Sequence, residues 1–236
     1  MPEISKTADQ ALAVLEFVAA RGPVATADVA RELRMHRTVV HRSLATLAQR
    51  GYVRRTADGH VAGATLTRLA SAVEPELLGA ARPVLDALAR EHGETFILTL
   101  RDGDEAVQVE QAVGGRHFVR VQLTRGFRHP LASGASGRAI LAFLDAPTVT
   151  RLVAATPAPR KIATLLAQAR RDGYADSHDE LSAGVHGISV PIIVGRDDVR
   201  GSLGVVMPAV RSQTGDAMVR VLKEAARRIS RALAAA

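Results

Sequence analysis

The chain has 236 residues, 47% of them apolar, which is enough for two modest domains or one large one with real cores. Its 31 Lys and Arg against 24 Asp and Glu leave a net charge of +7, which favours a polyanion such as nucleic acid as partner, although arginine- and alanine-rich composition discounts that signal. Cysteine is absent, which excludes disulfides and thiolate metal sites and suits a reducing cytosol. The polar N-terminus and the lack of any run near the ~18 apolar residues of a membrane span make a soluble cytoplasmic protein the expectation.

In chain order, Ser5 or Thr7 caps a first helix whose Leu12, Leu15, Val18 and Ala19 form an apolar stripe, ended by Gly22-Pro23. The stretch from Val24 to Gly63 then reads as helix, turn, helix and hairpin. Thr26 caps a helix with Val29, Ala30 and Leu33 three and four apart, and a break at Arg34-Met35-His36 leads into a second. At about 100° per residue, Val40, Leu44 and Leu47 fall on one side of that second helix. Thr38, His41, Arg42, Ala45 and Gln49 fall on the other. Gly51 stops the helix, and Tyr52 to Val61 reads as a hairpin turning at Asp58-Gly59.

This is the pattern of a winged helix-turn-helix. Between Arg31 and Arg55 the chain carries Arg31, Arg34, Arg37, Arg42, Arg50, Arg54 and Arg55 against the single acid Glu32. Such a block repels itself unless a polyanion neutralises it, and a helix about 10–12 Å across fits the B-DNA major groove of about 12 Å. The candidate DNA contacts are Arg37, Thr38, His41, Arg42 and Gln49 in the helix and Arg54 and Arg55 in the wing. His36, His41 and His60 are either DNA contacts or ordinary surface residues. A solvated helix pair is the plain alternative.

After the wing, Leu66, Leu69 and Ala70 at helical spacing, followed by Pro75, make a linker with a helix in it. Leu77, Leu78, Ala81, Val84, Leu85 and Leu88 predict a helix over about 76–91, closed by His92-Gly93. From Glu94 the period changes to that of strands: 95–100, a turn at Asp102-Gly103-Asp104, 106–113, and 118–123. Helices are expected over 136–144 and 163–171, and strands over 188–194 and 203–207 meeting at Arg196-Asp197-Asp198. A last helix from about Thr214 carries Met218, Leu222, Ala225, Ile229 and Leu233 on one stripe. The fold class is therefore α+β, with domains at 1–65 (winged helix), 66–78 (linker helix) and 79–236 (an antiparallel sheet with helices, suited to a ligand).

Three stretches together resemble the isocitrate lyase regulator (IclR) family of bacterial transcription regulators. They are the winged helix with Arg42 in TVVHRSLATL, the loop HPLASGASGRA from His129 to Ala139, and Gly173-Tyr174 leading to Asp179-Glu180, Gly184 and Val190-Pro191. The resemblance implies a DNA-binding regulator, more often a repressor than an activator, with a GAF-like C-terminal domain that binds a small carboxylate-bearing metabolite. It also implies homodimers or homotetramers on double-stranded DNA with a pseudo-palindromic operator, and no cofactor. The effector site it implies comprises Ser133, Gly134, Ala135 and Ser136 in the glycine loop, Ser177, Asp179, Val185 and Gly187 in the middle segment, and Gly204 and Val206 on the last strand. Where the family's small-acid binders carry polar walls, Gly187, Gly204 and Val206 stand here, which makes room for a bulkier, partly hydrophobic body.

On the residues themselves, Ser133 to Gly137 runs into a helix start whose free N–H groups and positive dipole end favour an anion. The glycines also serve a plain tight turn. A P-loop is excluded because no Gly-Lys-Ser/Thr follows, and a hydrolase elbow fails at Arg138. His178, Asp179, Glu180 and His186 are metal-capable residue types, but without a repeated motif a solvated loop is the stronger reading. The competing function is a hydrolytic enzyme built on the C-terminal domain, with His129 and Ser133 or Ser136 as the pair. It lacks a third member and leaves the basic first domain unexplained. A DNA-binding architectural protein without a ligand is the third.

Overall fold

The computed structural model describes residues 3–195 and 198–235, which form two compact units divided between Pro75 and Glu76. The N-terminal unit holds α1 (Lys6–Arg21), α2 (Thr26–Glu32), α3 (Arg37–Gln49), β1 (Val53–Thr56), β2 (Gly59–Ala62) and the short α4 (Thr65–Ala70). Its core joins Val14 and Val18 of α1 to Val29, Ala30, Val40, Leu44, Leu47 and Val53. The stripe of α1 differs from the expected one: Leu12 is exposed and Leu15 half-buried, while Val14 is buried. Two residues are about 200° of helix, so choosing Val14 puts Leu12 on the far side.

Two local expectations shift by one residue. Thr26 is the first residue of α2 rather than its cap, because Ala25 holds the cap position and makes no side-chain bond. The wing pairs Thr56 with Gly59, so its two-residue turn is Ala57-Asp58. Gly59 has φ +136°, and a Cβ there would lie 2.5 Å from the carbonyl oxygen of Val24. That closeness lets Val24 and His60 exchange backbone hydrogen bonds of 3.0 and 2.8 Å, which tie the start of the helix-turn-helix to the wing.

The C-terminal unit begins with α5 (Pro75–His92) and continues through β3 (Thr95–Asp102), β4 (Glu105–Val113), β5 (Arg128–Pro130), α6 (Gly134–Leu141), α7 (Ala146–Ala154) and α8 (Pro159–Asp172). It closes with β6 (Ala175–His178), β7 (Val185–Val194), β8 (Asp198–Pro208), a 3-10 turn (Ala209–Thr214) and α9 (Gly215–Ala234). The strands make one antiparallel sheet in the order β5-β4-β3-β8-β7-β6. Alternation divides its faces. Phe96, Leu98, Ile188, Val190, Leu203 and Val205 pack under α5 and α9, and a second core gathers α6, α7 and α8.

The strand expected over 118–123 is absent among the described residues. Side chains take over its backbone groups: the Gln111 amide donates to Leu123 O at 2.6 Å and accepts from Leu123 N–H at 3.3 Å, and Thr95 Oγ1 donates to Val121 O at 2.5 Å. A segment satisfied in this way needs no ladder. The short β5, β6 and α7 carry too little periodicity to stand out in the sequence. Arg196 and Asp197 of the expected turn lie outside the described residues; β7 and β8 pair up to Val194 and Asp198.

Candidate nucleic-acid interface and ligand cavity

On α3 the two faces separate as the periodicity requires. Val40, Leu44 and Leu47 are buried, and Arg37, Thr38, His41, Arg42 and Gln49 are exposed, as are Arg54 and Arg55 in β1. Among the described residues Arg37, Arg42, Arg54 and Arg55 form no ion pair, whereas Arg31 is held by Asp28 at 2.7 Å. No acid stands in the first turn of α3, so no carboxylate of that turn offsets the positive end of its dipole. Four uncommitted guanidinium groups on one helix and its wing form a surface complementary to phosphate and to guanine edges.

In the C-terminal unit the glycine loop carries the chain from β5 into α6. A Cβ at Gly137 would sit 2.6 Å from Leu131 O, so the loop folds tightly beneath the helix. The donors at this helix start are already engaged. Gly134 N–H donates to Glu180 Oε2 at 3.0 Å, and Ala135 N–H donates to Ser177 Oγ at 3.1 Å. Arg138, only 1% exposed, grips the same carboxylate with both terminal nitrogens, at 2.6 and 2.7 Å, and also donates to Asp176 O. Burial pushes the Glu180 carboxyl up, but the Arg138 bonds, the Gly134 N–H and the Arg138 charge outweigh it and hold it below its ordinary value. Asp179 serves the loop itself: at φ 56° it accepts the Gly184 N–H at 2.6 Å.

Between α6 and the sheet lies a cavity with apolar walls from Ile97, Leu123, Phe127 and Val206. Of the residues expected in an effector site, Ala135, Ser136, Ser177, Val185, Gly187 and Val206 line it; Ser133, Gly134, Asp179 and Gly204 do not. Its free volume is about 40 Å³, against roughly 300 Å³ or more for an ordinary small-molecule pocket. The glycines do not open the space that their lack of side chains implied. A Cβ at Gly204 would meet Ser189 Oγ at 2.3 Å, and one at Gly187 would meet Ser177 Oγ at 3.1 Å and the Ala135 methyl at 3.7 Å. The polar wall is also richer than the sequence implied, because Thr99, Gln108 and Ser189 join the expected Ser136 and Ser177 in lining it.

Gln108 escaped the sequence reading for a definite reason. A period of two puts Gln108 on the face of Glu110, which reaches α5 through Arg82 at 2.8 Å. The register, however, breaks between Leu98 and Thr99, where Leu98 pairs with Glu110 and Thr99 with Gln108, leaving Val109 as the extra residue. That bulge turns Gln108 to the cavity side.

Two other constellations resolve. His129 Nδ1 lies 3.1 Å from Pro130 O and Nε2 3.1 Å from Ser136 Oγ; the first contact assigns the proton to Nδ1, so Nε2 accepts the serine hydroxyl. No carboxylate among the described residues bonds that imidazole. Asp176, His178 and His186 come together across β6 and β7, with the two rings stacked at 3.8 Å, while Asp179 and Glu180 turn to Gly184 and Arg138 instead.

Residues 69–231 match the family model of the bacterial transcriptional regulator IclR C-terminal domain, and residues 7–62 match that of the MarR family. The chain belongs to the IclR family of bacterial transcriptional regulators. It is 28% identical over 205 residues to the HTH-type transcriptional regulator KipR of Bacillus subtilis, covering 81% of this chain and 82% of that one. To the transcriptional repressor IclR of Escherichia coli it is 30% identical over 191 residues, covering 74% and 69%. An IclR homologue from Microbacterium hydrocarbonoxydans, complexed with 4-hydroxybenzoate, has the same fold, with a TM-score of 0.84 over 98% of this chain and 100% of that one at 23% identity. The IclR-family chain is thus a DNA-binding transcription regulator and not an enzyme, with a winged helix-turn-helix followed by the family's C-terminal domain. Among the described residues no helix is long and apolar enough to cross a membrane.

Proposed function

We propose that this regulator is a cytoplasmic repressor that sets α3 into the major groove of a pseudo-palindromic operator as a homodimer or homotetramer, and that a small, partly hydrophobic metabolite in the α6 cavity modulates its grip. The observation that supports the DNA half is the exposed face of Thr38, His41 and Arg42, flanked by Arg37, Gln49, Arg54 and Arg55 with no acid committed to any of these arginines. The effector half rests on a cavity with both apolar and hydrogen-bonding walls, the composition of a specific small-molecule site. The Microbacterium hydrocarbonoxydans homologue holds 4-hydroxybenzoate; at its identity that likeness is one of fold, so the ligand here is argued from this chain's own residues.

A carboxylate bound at the start of α6, as the family resemblance implies, would take the seat of Glu180 at Gly134 N–H and Arg138. A ligand of more than a few atoms also has to move Leu181 and Ser182, which close one side of the cavity. Effector binding and rearrangement of the 179–184 loop are therefore one event. The test is a mobility-shift titration of the full chain on DNA flanking its own gene, together with thermal denaturation against a metabolite panel. A hit raises the melting temperature by mass action and changes operator affinity. Operator binding indifferent to every stabilising metabolite would refute the effector half.

A further inference from the structure

We infer that Thr99 and Gln108 form a recognition floor for an uncharged amide-type edge on the effector, a carboxamide or lactam, rather than for a carboxylate. This rests on reading the α6 cavity as the effector site. Thr99 is 1% exposed and Gln108 2%; Thr99 Oγ1, Gln108 Nε2 and Gln108 Oε1 are buried without a hydrogen-bond partner, and both residues line the cavity. Buried polar atoms are bonded in the large majority of cases, so three orphans on one cross-strand pair call for a ligand.

Their placement is deliberate in the backbone. The bulge at Val109 aims Gln108 into the cavity, and its main chain is pinned by Gln108 N–H to Phe127 O at 3.0 Å and Gly126 N–H to Gln108 O at 2.8 Å. A carboxamide offers a donor and an acceptor side by side, and the complementary edge carries the same pair reversed, as an amide or lactam does. Thr99 adds one further hydroxyl, able to donate or accept.

At this floor charge decides against a carboxylate. The cavity's ionised lining group is Glu180, an anion, and its Arg138 partner spends both terminal nitrogens on it and on Asp176 O. Burial holds the His129 imidazole below its ordinary pKa, hence neutral. The Glu180 pair also belongs to the β6 side, four strands along from β4 in the sheet order. An anion desolvated at Gln108 would find no cation among the described lining residues, whereas a neutral amide is satisfied there.

The test measures binding of acetamide, 2-pyrrolidinone and benzamide, with acetate and benzoate as matched acids, by calorimetry on the full chain and on Gln108→Leu and Thr99→Val. At least one amide should bind at least tenfold more tightly than its matched acid, and Gln108→Leu should abolish that preference. Both variants should melt at or above wild type, since each removes an unpaired buried polar group without leaving a hole, so lost binding cannot be put down to misfolding. Tighter binding of the acids, blocked by Ala135→Leu in the cavity wall, would overturn the amide floor and leave the effector cavity standing. If neither series binds at tens of millimolar, the amide floor falls, while the effector reading is judged by the metabolite panel.

Discussion

Arg42 and the wing arginines differ in what DNA asks of them. Arg42 lies in the middle of the exposed α3 face, and if it bonds a guanine, Arg42→Ala should weaken operator binding by about 1–3 kcal/mol and narrow the gap between operator and random DNA. Arg54→Ala or Arg55→Ala should weaken all DNA alike and lower the salt slope by about one unit per phosphate contact. Competition titrations over a salt series separate the two outcomes. His129 supplies a second test, in pH. Burial holds it below its ordinary 6.5 in the folded state, against the opposing pull of its backbone bonds. Its stability contribution is therefore complete above about 6.5 and is lost as pH falls, because the unfolded chain takes up a proton the folded one refuses. His186 shifts the same way, through burial first and then the charge of His178. The melting temperature should drop between about pH 7.5 and 5.5, and His129→Gln should flatten part of that slope.

At the scale of elements, two joints carry unusual demands. The wing is tied to the start of the helix-turn-helix at Gly59, where a Cβ would strike Val24 O at 2.5 Å. Gly59→Ala should cost about 1–3 kcal/mol locally. Hydrogen exchange should register it first at the amides of Val24 and His60, which bond each other's carbonyls. The joint between α6 and the 179–184 loop is the Arg138–Glu180 pair, in which the arginine side chain is 2% exposed and the glutamate 32%. Removing the more exposed partner is therefore the more damaging change. Glu180→Ala strands a buried guanidinium and should cost about 3 kcal/mol, whereas Arg138→Met leaves a carboxylate that can turn to water. Equal losses in urea denaturation would show that burial is not what separates the two.

For the whole molecule the open quantity is the number of copies. One α3 spans too few base pairs to select a site from a genome, and paired half-sites multiply discrimination. Exposed Ile4 and Leu12 in the N-terminal unit offer apolar surface for such pairing. Light scattering at micromolar concentration should give at least twice the 25.0 kDa chain mass. A monomer that binds its operator one to one would contradict the proposal. Linkage then sets a reciprocal requirement: whatever factor an effector imposes on operator affinity, operator DNA must impose on effector affinity.

The winged helix was legible from residues alone because its information is local. Periodicity in α3 separates Val40, Leu44 and Leu47 from Arg42 without any distant contact, and the charge imbalance between Arg31 and Arg55 points to a polyanion. The helices α5 and α9 were legible for the same reason, each presenting one stripe to the sheet. The cavity was not, because its walls are set by pairings between residues far apart in the chain. Glu180 meets Gly134 and Arg138 more than forty positions away, Ser189 fills the space beside Gly204, and a single extra residue at Val109 moves Gln108 from one face of the sheet to the other. Local pattern determined which segments fold and which surface bears charge. Tertiary pairing decided which donors remain free for a ligand, since a hydrogen bond's availability depends on what else the fold has brought within reach.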